Sequence, residues 1–192
     1  KNLFLCDDLN FNDDDNFTSI SSYNSIFEGN QKTISGLDTN LFEIIGSNAE
    51  IRNLVLKNLT VELTSENAGG LASTNLGLIE QVGIRGADLI ISCNDCEESF
   101  FGGLVGLNEG SIKNSYFEGE IEGSSLAQTA GLVGRNLDSI ESSYSSANLN
   151  VRALSLVSES DGDGITDSYW NCGEESSCSG GEGSNTGTAL NL

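Results

Sequence analysis

Residues 103–119 read GLVGLNEGSIKNSYFEG, and residues 131–147 repeat the phrase as GLVGRNLDSIESSYSSA. A degraded copy, GLASTNLGLIEQVGIRG, occupies residues 70–86, and weaker echoes stand at 41–58 and 156–172. Repetition at a period of a few tens of residues is typical of solenoids, in which each repeat packs only on its neighbours. The repeats therefore predict the fold class, and they place any local function on an outer face rather than in a globular cleft.

A recurring isoleucine sets the register of the repeats. Five copies are separated by 28, 33, 28 and 25 residues, at Ile51, Ile79, Ile112, Ile140 and Ile165. Short runs of β-favouring residues interrupted by Gly and Asn, without an apolar stripe of helical period, indicate strands. Each repeat holds two or three such runs, which is about one coil of a parallel β-helix. The chain is therefore predicted to be all-β.

Strand alternation assigns each aligned column to the inside or the outside of the coils. One inward column becomes polar toward the C-terminus, at Leu54, Val82, Ser115, Ser143 and Ser168. An outward column alternates in charge, at Arg52, Glu80, Lys113, Glu141 and Thr166. A third column, Asn75, Asn108 and Asn136, is predicted to bond along the stack and to the adjacent backbone. The charge and asparagine columns are interpreted as structural ladders that fix the register of coil on coil, and the inward column as a core that grows more polar.

A row of tyrosines is predicted on the outside. Tyr116, Tyr144 and Tyr169 share one column and face outward by alternation. Such a row could contact a ligand by stacking on sugar rings, or it could cover the sheet or pack under a neighbouring loop or domain. Covering is the favoured interpretation, because nothing else in the sequence indicates a sugar site.

Composition excludes several classes of function. Lys and Arg total 8 against 29 Asp and Glu, for a formal charge of −21, so nucleic acid and anionic membranes are not expected as partners. No stretch approaches the roughly 20 apolar residues of a membrane span. Histidine is absent, which removes Ser-His and Cys-His catalysis. With no Met and Lys1 at its start, the sequence is expected to be a piece of a longer chain.

The five cysteines suggest an oxidising compartment. Cys93 and Cys96 stand close together, as do Cys172 and Cys178, so each pair is a candidate for a small local disulfide. A four-thiolate zinc site is the alternative, but the two pairs are expected to lie about three coils apart, which is too far for one metal unless loops fold back. Cys6 is left over and is expected to be a small buried hydrophobe.

An acidic segment is the sharpest candidate for a metal site. Residues 159–167 read ESDGDGITD and resemble the calcium loops of thrombospondin type 3 repeats. Alternate carboxylates suit a hard cation, and the candidate calcium ligands are Glu159, Asp161, Asp163 and Asp167. The alternative is an acidic turn in the spacer of a coil. No other cofactor is expected.

The two best repeats resemble the GLUG motif of bacterial surface proteins, which occurs in adhesins related to filamentous haemagglutinin and in the non-catalytic region of immunoglobulin A1 protease-type proteins. FLCDDLNFND at 4–13 and FEGNQKTISGL at 27–37 resemble the opening strand and link of such regions, and 165–185 resembles their close. The resemblance implies a right-handed parallel β-helix, here of about five coils. It carries no catalytic residue to any position of this sequence.

We therefore expect one β-helix domain over 1–192, with an N-terminal strand and link at 1–40, repeat coils at 41–170 and a Cys/Gly/Ser-rich segment at 171–192. The expected function is a non-enzymatic structural or adhesive module of a larger bacterial surface or secreted protein, located outside the cell. Its expected partners are flanking domains of the parent chain and a host or microbial surface protein or glycan. The alternative is a carbohydrate-binding or polysaccharide-degrading β-helix, although scattered Arg and Lys and the negative charge disfavour a lyase.

Overall fold

A computed structural model describes residues 1–12, 17–64, 66–93, 96, 98–123, 128–149, 156–161, 164–171 and the backbone of 188–190. These residues form strands and no helix, so none of them belongs to a helix that could cross a membrane. The strands are β1 (Leu3–Phe4), β2 (Leu9–Asn10), β3 (Ile20–Tyr23), β4 (Ile26–Ser35), β5 (Phe42–Ile45), β6 (Glu50–Lys57), β7 (Thr60–Leu63), β8 (Asn67–Gly69), β9 (Ala72–Asn75), β10 (Leu78–Ile91), β11 (Phe100–Gly102), β12 (Val105–Asn108), β13 (Ser111–Lys113), β14 (Tyr116–Gly123), β15 (Gln128–Ala130), β16 (Val133–Asn136), β17 (Ser139–Glu141), β18 (Tyr144–Leu149), β19 (Val157–Ser160), β20 (Ile165–Thr166), β21 (Tyr169–Asn171) and β22 (Thr188–Leu190).

The strands pair in parallel within three sheets. Sheet 1 is the longest and follows the order β1-β4-β6-β10-β14-β18-β21-β22, with β2, β7, β13, β17 and β20 joined beside this path. Sheet 2 has the order β19-β16-β12-β9-β5-β3, and sheet 3 has the order β15-β11-β8. Each coil contributes strands to these sheets in turn, about five coils in all. The predicted parallel β-helix is confirmed.

The isoleucine register is also confirmed. Ile79 lies opposite Ile51 on one side and Ile112 on the other, and the pairing continues through Ile140 to Ile165. All five side chains are buried in one apolar core that runs along the stack. At about 25 cal/mol for each Å² of apolar surface removed from water, this continuous core is the main stabilising contribution.

A left-handed backbone residue turns the chain two positions after each isoleucine. This column has φ between 47° and 55°, at Asn53, Gln81, Asn114, Ser142 and Asp167. Non-glycine residues rarely adopt positive φ, and Asn and Asp do so at lower cost than most. The predicted corner at Asn53 is therefore confirmed, and it recurs in every coil.

Buried serines are satisfied by a ladder beside this corner. The backbone N–H of Ser115 donates to Oγ of Ser143 at 3.1 Å, and the N–H of Ser143 donates to Oγ of Ser168 at 3.2 Å. Each hydroxyl donates in turn to the carbonyl two residues before it, as Ser115 does to Lys113 at 2.7 Å. The polar inward column thus costs little, because its buried groups have partners.

The glycines of the GLVG phrase lie where neighbouring coils come closest. A Cβ at Gly103 would clash with the carbonyl oxygen of Gly131, and one at Gly106 would clash with the backbone nitrogen of Ala68. The copies that carry Ser73 and Ser158 in place of Gly106 lie nearer the two ends of the repeat stack. The phrase is therefore a packing requirement of the central coils.

The N-terminal region differs from expectation in two respects. Residues 26–35, expected to lie in a link, form β4, which pairs with β6 in the same way that later coils pair. Phe27 and Ile34 lie on either side of a register shift between Glu28 and Lys32, and both side chains enter the core. Cys6 was expected to be buried but is exposed, because it lies between β1 and β2, which among the described residues pair only with β4.

Candidate functional site

The tyrosine row lies on the outer side of sheet 1, as alternation predicts. Tyr116 begins β14, Tyr144 begins β18 and Tyr169 begins β21, and the three are aligned in register across these strands. The neighbouring positions Phe117, Ser145 and Trp170 point into the core. Parallel strands about 4.8 Å apart place successive rings within stacking distance.

The rings of Tyr116 and Tyr144 stack on each other within this row. Their rings are parallel within 7°, with centroids 5.0 Å apart. The ring of Tyr116 extends over Gly83 on β10, where any side chain would clash with it. The guanidinium of Arg85 lies 5.1 Å from the Tyr116 ring centroid, on the β10 side of the stack. These two rings therefore cover the outer side of sheet 1 beside Gly83.

Glu118 connects the members of this cluster. Its carboxylate is 3.3 Å from Nε of Arg85 and accepts a hydrogen bond from the Tyr144 hydroxyl at 2.5 Å. The cluster of Arg85, Tyr116, Glu118 and Tyr144 thus combines a cation–π contact, a ring stack, an ion pair and a charge-assisted hydrogen bond.

The environment of the cluster changes the proton affinity of its phenols. Burial raises the pKa of Tyr144 well above its ordinary value, and the hydrogen bond to the Glu118 carboxylate raises it further. Burial also raises the pKa of Tyr116, while nearby Arg85 acts in the opposite direction. Both phenols are therefore protonated at neutral pH, so they act as donors and apolar surfaces rather than as bases.

The row opens between Tyr144 and Tyr169. Among the described residues, Tyr169 makes no ring pair with Tyr144 although it holds the same register, and it is 38% exposed. A groove of about 270 Å³ lies here, which we call the tyrosine groove. Its described lining is formed by Glu118, Tyr144, Ser145, Ser146, Tyr169, Trp170 and Asn171. The groove joins an aromatic surface to a carboxylate, a hydroxyl and an amide.

Arg85 and Glu118 were missed as site residues in the sequence, where Arg85 appeared to be one of several scattered cations. The sequence nevertheless contained a pattern that predicts their contact. Arg85 and Glu118 stand two residues after Gly83 and Tyr116, so alternation places both on the outer side of adjacent strands. Aligning this second outward column would have brought the two charges together.

Two of the four candidate calcium ligands form ion pairs with Arg135. Glu159 and Asp161 each lie 3.0 Å from the guanidinium of Arg135, which also lies over the ring of Phe100. Asp167 occupies the left-handed corner column. Asp163 falls outside the described residues. Within the part of the chain that is described, no three acidic or cysteine side chains are grouped to hold a metal, and calcium binding remains a prediction.

One predicted disulfide is confirmed. Cys93 and Cys96 are bonded in the segment that follows β10, with Cys96 buried against the core. Cys172 and Cys178 lie outside the described residues, so their pairing stays a prediction. The disulfide closes only a short loop, so it constrains the segment locally and not the stack as a whole.

Three parallel sheets wound around one core define this protein as a parallel β-helix. Residues 101–122 match the model of the family described as the GLUG motif, so the chain carries that motif in its central coils. The match covers the third coil, where the repeated phrase is best formed. No curated protein matches the chain in sequence.

Solved structures share this fold. One, described as IgA1 Protease, superposes with a TM-score of 0.64 and 22% identity over 90% of this chain, which corresponds to 15% of that protein. Another, from Bacteroides ovatus and described as "a putative immunoglobulin A1 protease", gives a TM-score of 0.57 and 15% identity over 98% of this chain and 75% of that one. The chain thus spans only a small part of the first of these proteins. At these identities the likeness establishes the fold.

Proposed function

We propose that this chain is a non-enzymatic structural and adhesive module of a larger bacterial surface or secreted protein, working outside the cell. The observation that carries the proposal is that the repeated polar residues stabilise the stack. The asparagine column, the column of Ser115, Ser143 and Ser168, and the alternating charges each have partners in an adjacent coil. A chain whose main polar columns serve stacking is suited to act as a stalk with a contact surface.

Two further observations support a module of this kind. Structures of the same fold include a protein of which this chain would cover only 15%, which fits a repeat region within a longer polypeptide. The Cys93–Cys96 disulfide fits an oxidising location such as the cell exterior. The proposed partners are flanking domains of the parent chain and a surface protein or glycan.

The second candidate is a carbohydrate-binding or polysaccharide-degrading β-helix. The exposed ring of Tyr169 at the tyrosine groove is the observation that favours it, because aromatic rings stack on sugars. Degradation would require two carboxylates about 5–10 Å apart along a bound sugar chain. Near this groove the described acid is Glu118, which is paired with Arg85, and this favours binding over hydrolysis.

The test uses the purified chain in two assays. Beads coated with the chain are expected to adhere to host or microbial cells, while beads coated with a thermally unfolded sample are not. A panel of neutral and acidic polysaccharides is expected to show no release of reducing ends or unsaturated products. Turnover of any polymer would overturn the non-enzymatic function, and absence of adhesion to every surface would leave only the structural role.

A further inference from the structure

The contact of Arg85 with Tyr116 and Glu118 indicates what kind of group the tyrosine groove can bind. On the β10 side of the closed stack, the Arg85 guanidinium lies over the Tyr116 ring and pairs with Glu118. The stack runs over successive strands from Arg85 through Tyr116 to Tyr144. On the other side of Tyr144, the tyrosine groove lies where a further stacked group would continue the row. Among the described residues, no second ring stacks on the face of Tyr144 that looks toward this groove.

The groove offers the same chemistry as the Arg85 contact. Its walls hold the Tyr144 and Tyr169 rings, and Glu118 lies at one side with its carboxylate between Arg85 and the Tyr144 hydroxyl. A guanidinium is planar, stacks on aromatic faces and is weakly hydrated, so it suits a narrow aromatic gap better than an ammonium does. The geometry therefore favours an arginine over a lysine.

Charge complementarity extends beyond the groove along β14. On the outer side of this strand, Glu118 is followed by Glu120 and Glu122, both exposed. Among the described residues, no Lys or Arg forms an ion pair with Glu120 or Glu122, and Asp88 lies beside Glu120 in register. Like charges directly opposite one another are unfavourable in a sheet, so a basic partner would relieve this pair.

We propose that the tyrosine groove binds an arginine side chain of an extended basic polypeptide, whose next basic residues lie opposite Glu120 and Glu122. Alternate residues of an extended chain are about 6.8 Å apart, which is also the spacing of alternate residues along β14. The inference deepens the proposed adhesive function and rests on it, because it names the chemistry of the partner. A glycan at the same groove is the competing outcome.

The experiment measures binding of the whole chain to fluorescently labelled ten-residue peptides by anisotropy. The probes are an alternating Arg-Thr peptide, a Lys-Thr peptide of equal charge and a Glu-Thr peptide. We expect the Arg-Thr peptide to bind at least about fivefold more tightly than the Lys-Thr peptide, from one guanidinium–ring contact. The Glu-Thr peptide is expected not to bind. Equal affinities for Arg-Thr and Lys-Thr would overturn the inference.

Variants locate the site. Tyr169→Ala removes an exposed ring and is expected to weaken Arg-Thr binding about fivefold while leaving the melting temperature nearly unchanged. Glu120→Gln with Glu122→Gln is expected to weaken it more than the matched control, Glu43→Gln with Glu109→Gln, which removes equal charge from exposed positions elsewhere. Equal effects of the two double variants would show general attraction to an acidic protein, and the site would be wrong.

A competition arm separates this inference from the proposed function. Neutral oligosaccharides are expected not to displace the Arg-Thr peptide, and displacement that Tyr169→Ala abolishes would assign the groove to sugars instead. If cell adhesion persists while the peptide fails to bind, only the peptide inference fails. If the peptide binds while coated beads adhere to nothing, the adhesive function fails and the groove remains.

Discussion

The side-chain nitrogen of Asn108 donates a hydrogen bond to Oδ1 of Asn136 at 2.7 Å, and Asn75 donates in the same way to Asn108 at the same distance. All three amides are buried. Asn108 also donates to the carbonyl of Gly110 at 2.8 Å. Each asparagine therefore joins two adjacent coils and closes its own turn, so one residue type fixes both the corner and the stacking.

Asn108→Ala is expected to lower the free energy of unfolding by about 2–4 kcal/mol, because it leaves buried partners in both neighbouring coils unsatisfied. Urea denaturation followed by circular dichroism measures the change. The matched control is Asn148→Ala, an exposed position in the next repeat, expected to cost under about 0.5 kcal/mol. Similar losses at both positions would contradict a structural role for the ladder.

Gly106→Ala is expected to destabilise the protein by about 1–3 kcal/mol, because the new methyl group meets the backbone of the Ala68 segment, which cannot move without separating coils. Gly83→Ala is the comparison. There the three atoms nearest to the added methyl group all belong to the side chain of Tyr116, which can rotate away, so the loss is expected to be smaller. Near-ultraviolet circular dichroism should nevertheless change for Gly83→Ala as the tyrosine stack opens. The reverse order of stabilities would contradict the packing role of the GLVG glycine.

Stability is expected to fall in alkaline solution through Tyr144. Its folded pKa lies above the unfolded value of 10.0, mainly because the ring is buried, so the folded state holds its proton more tightly. The corresponding stabilisation is complete below pH 10 and is lost as the pH rises from 10 toward the folded pKa. Absorbance of tyrosinate against pH measures the ionisation.

Glu118→Gln tests the second cause of that shift. Without the carboxylate, the pKa of Tyr144 is expected to move down toward its ordinary value. Tyr144→Phe should remove the contribution of Tyr144 to the high-pH transition and leave that of Tyr116, whose pKa is also raised by burial. A titration that is unchanged in Glu118→Gln would show that the hydrogen bond between these residues does not control the phenol.

The acidic segment is tested by calcium and salt. The sequence resemblance predicts that chelation lowers the melting temperature and that Asp161→Ala with Asp163→Ala abolishes this sensitivity. The contacts of Arg135 with Glu159 and Asp161 predict that Arg135→Met costs about 1 kcal/mol and that added salt reduces the loss. Unchanged melting on chelation would identify the segment as an acidic turn neutralised by Arg135.

The columns that could be predicted are those set by alternation and a constant register. Isoleucine on isoleucine, asparagine on asparagine and the outward tyrosines all follow from the spacing of identical letters, since parallel in-register coils place like on like. The charge column was predicted in the same way, and Arg52 and Lys113 do reach the next acid in the column, Glu80 and Glu141. These contacts could be predicted without knowing the conformation of any loop.

The contacts and burial of particular side chains could not be predicted from the sequence. Whether Tyr169 stacks as Tyr144 does depends on ring orientation and on the neighbouring C-terminal strand, not on the column. The predicted burial of Cys6 was wrong because β1 and β2 pair only with β4 among the described residues, whereas strands of the central coils have a neighbour on both sides. Arg135 lies opposite Glu159 in register, but its contacts with Asp161 and Phe100 fall outside that column, so alignment of the repeats does not predict them.

The amino-acid sequence by itself determined the β-helix, its register and the outward direction of the tyrosines, because an in-register stack repeats the same local geometry at each coil. The tertiary structure alone decided that the rings of Tyr116 and Tyr144 stack while a groove separates Tyr144 from Tyr169. It also decided that Glu118 forms an ion pair with Arg85 and accepts a hydrogen bond from Tyr144. Side-chain orientation at a surface depends on contacts between coils, and a repeated sequence does not specify those contacts where the repeat changes.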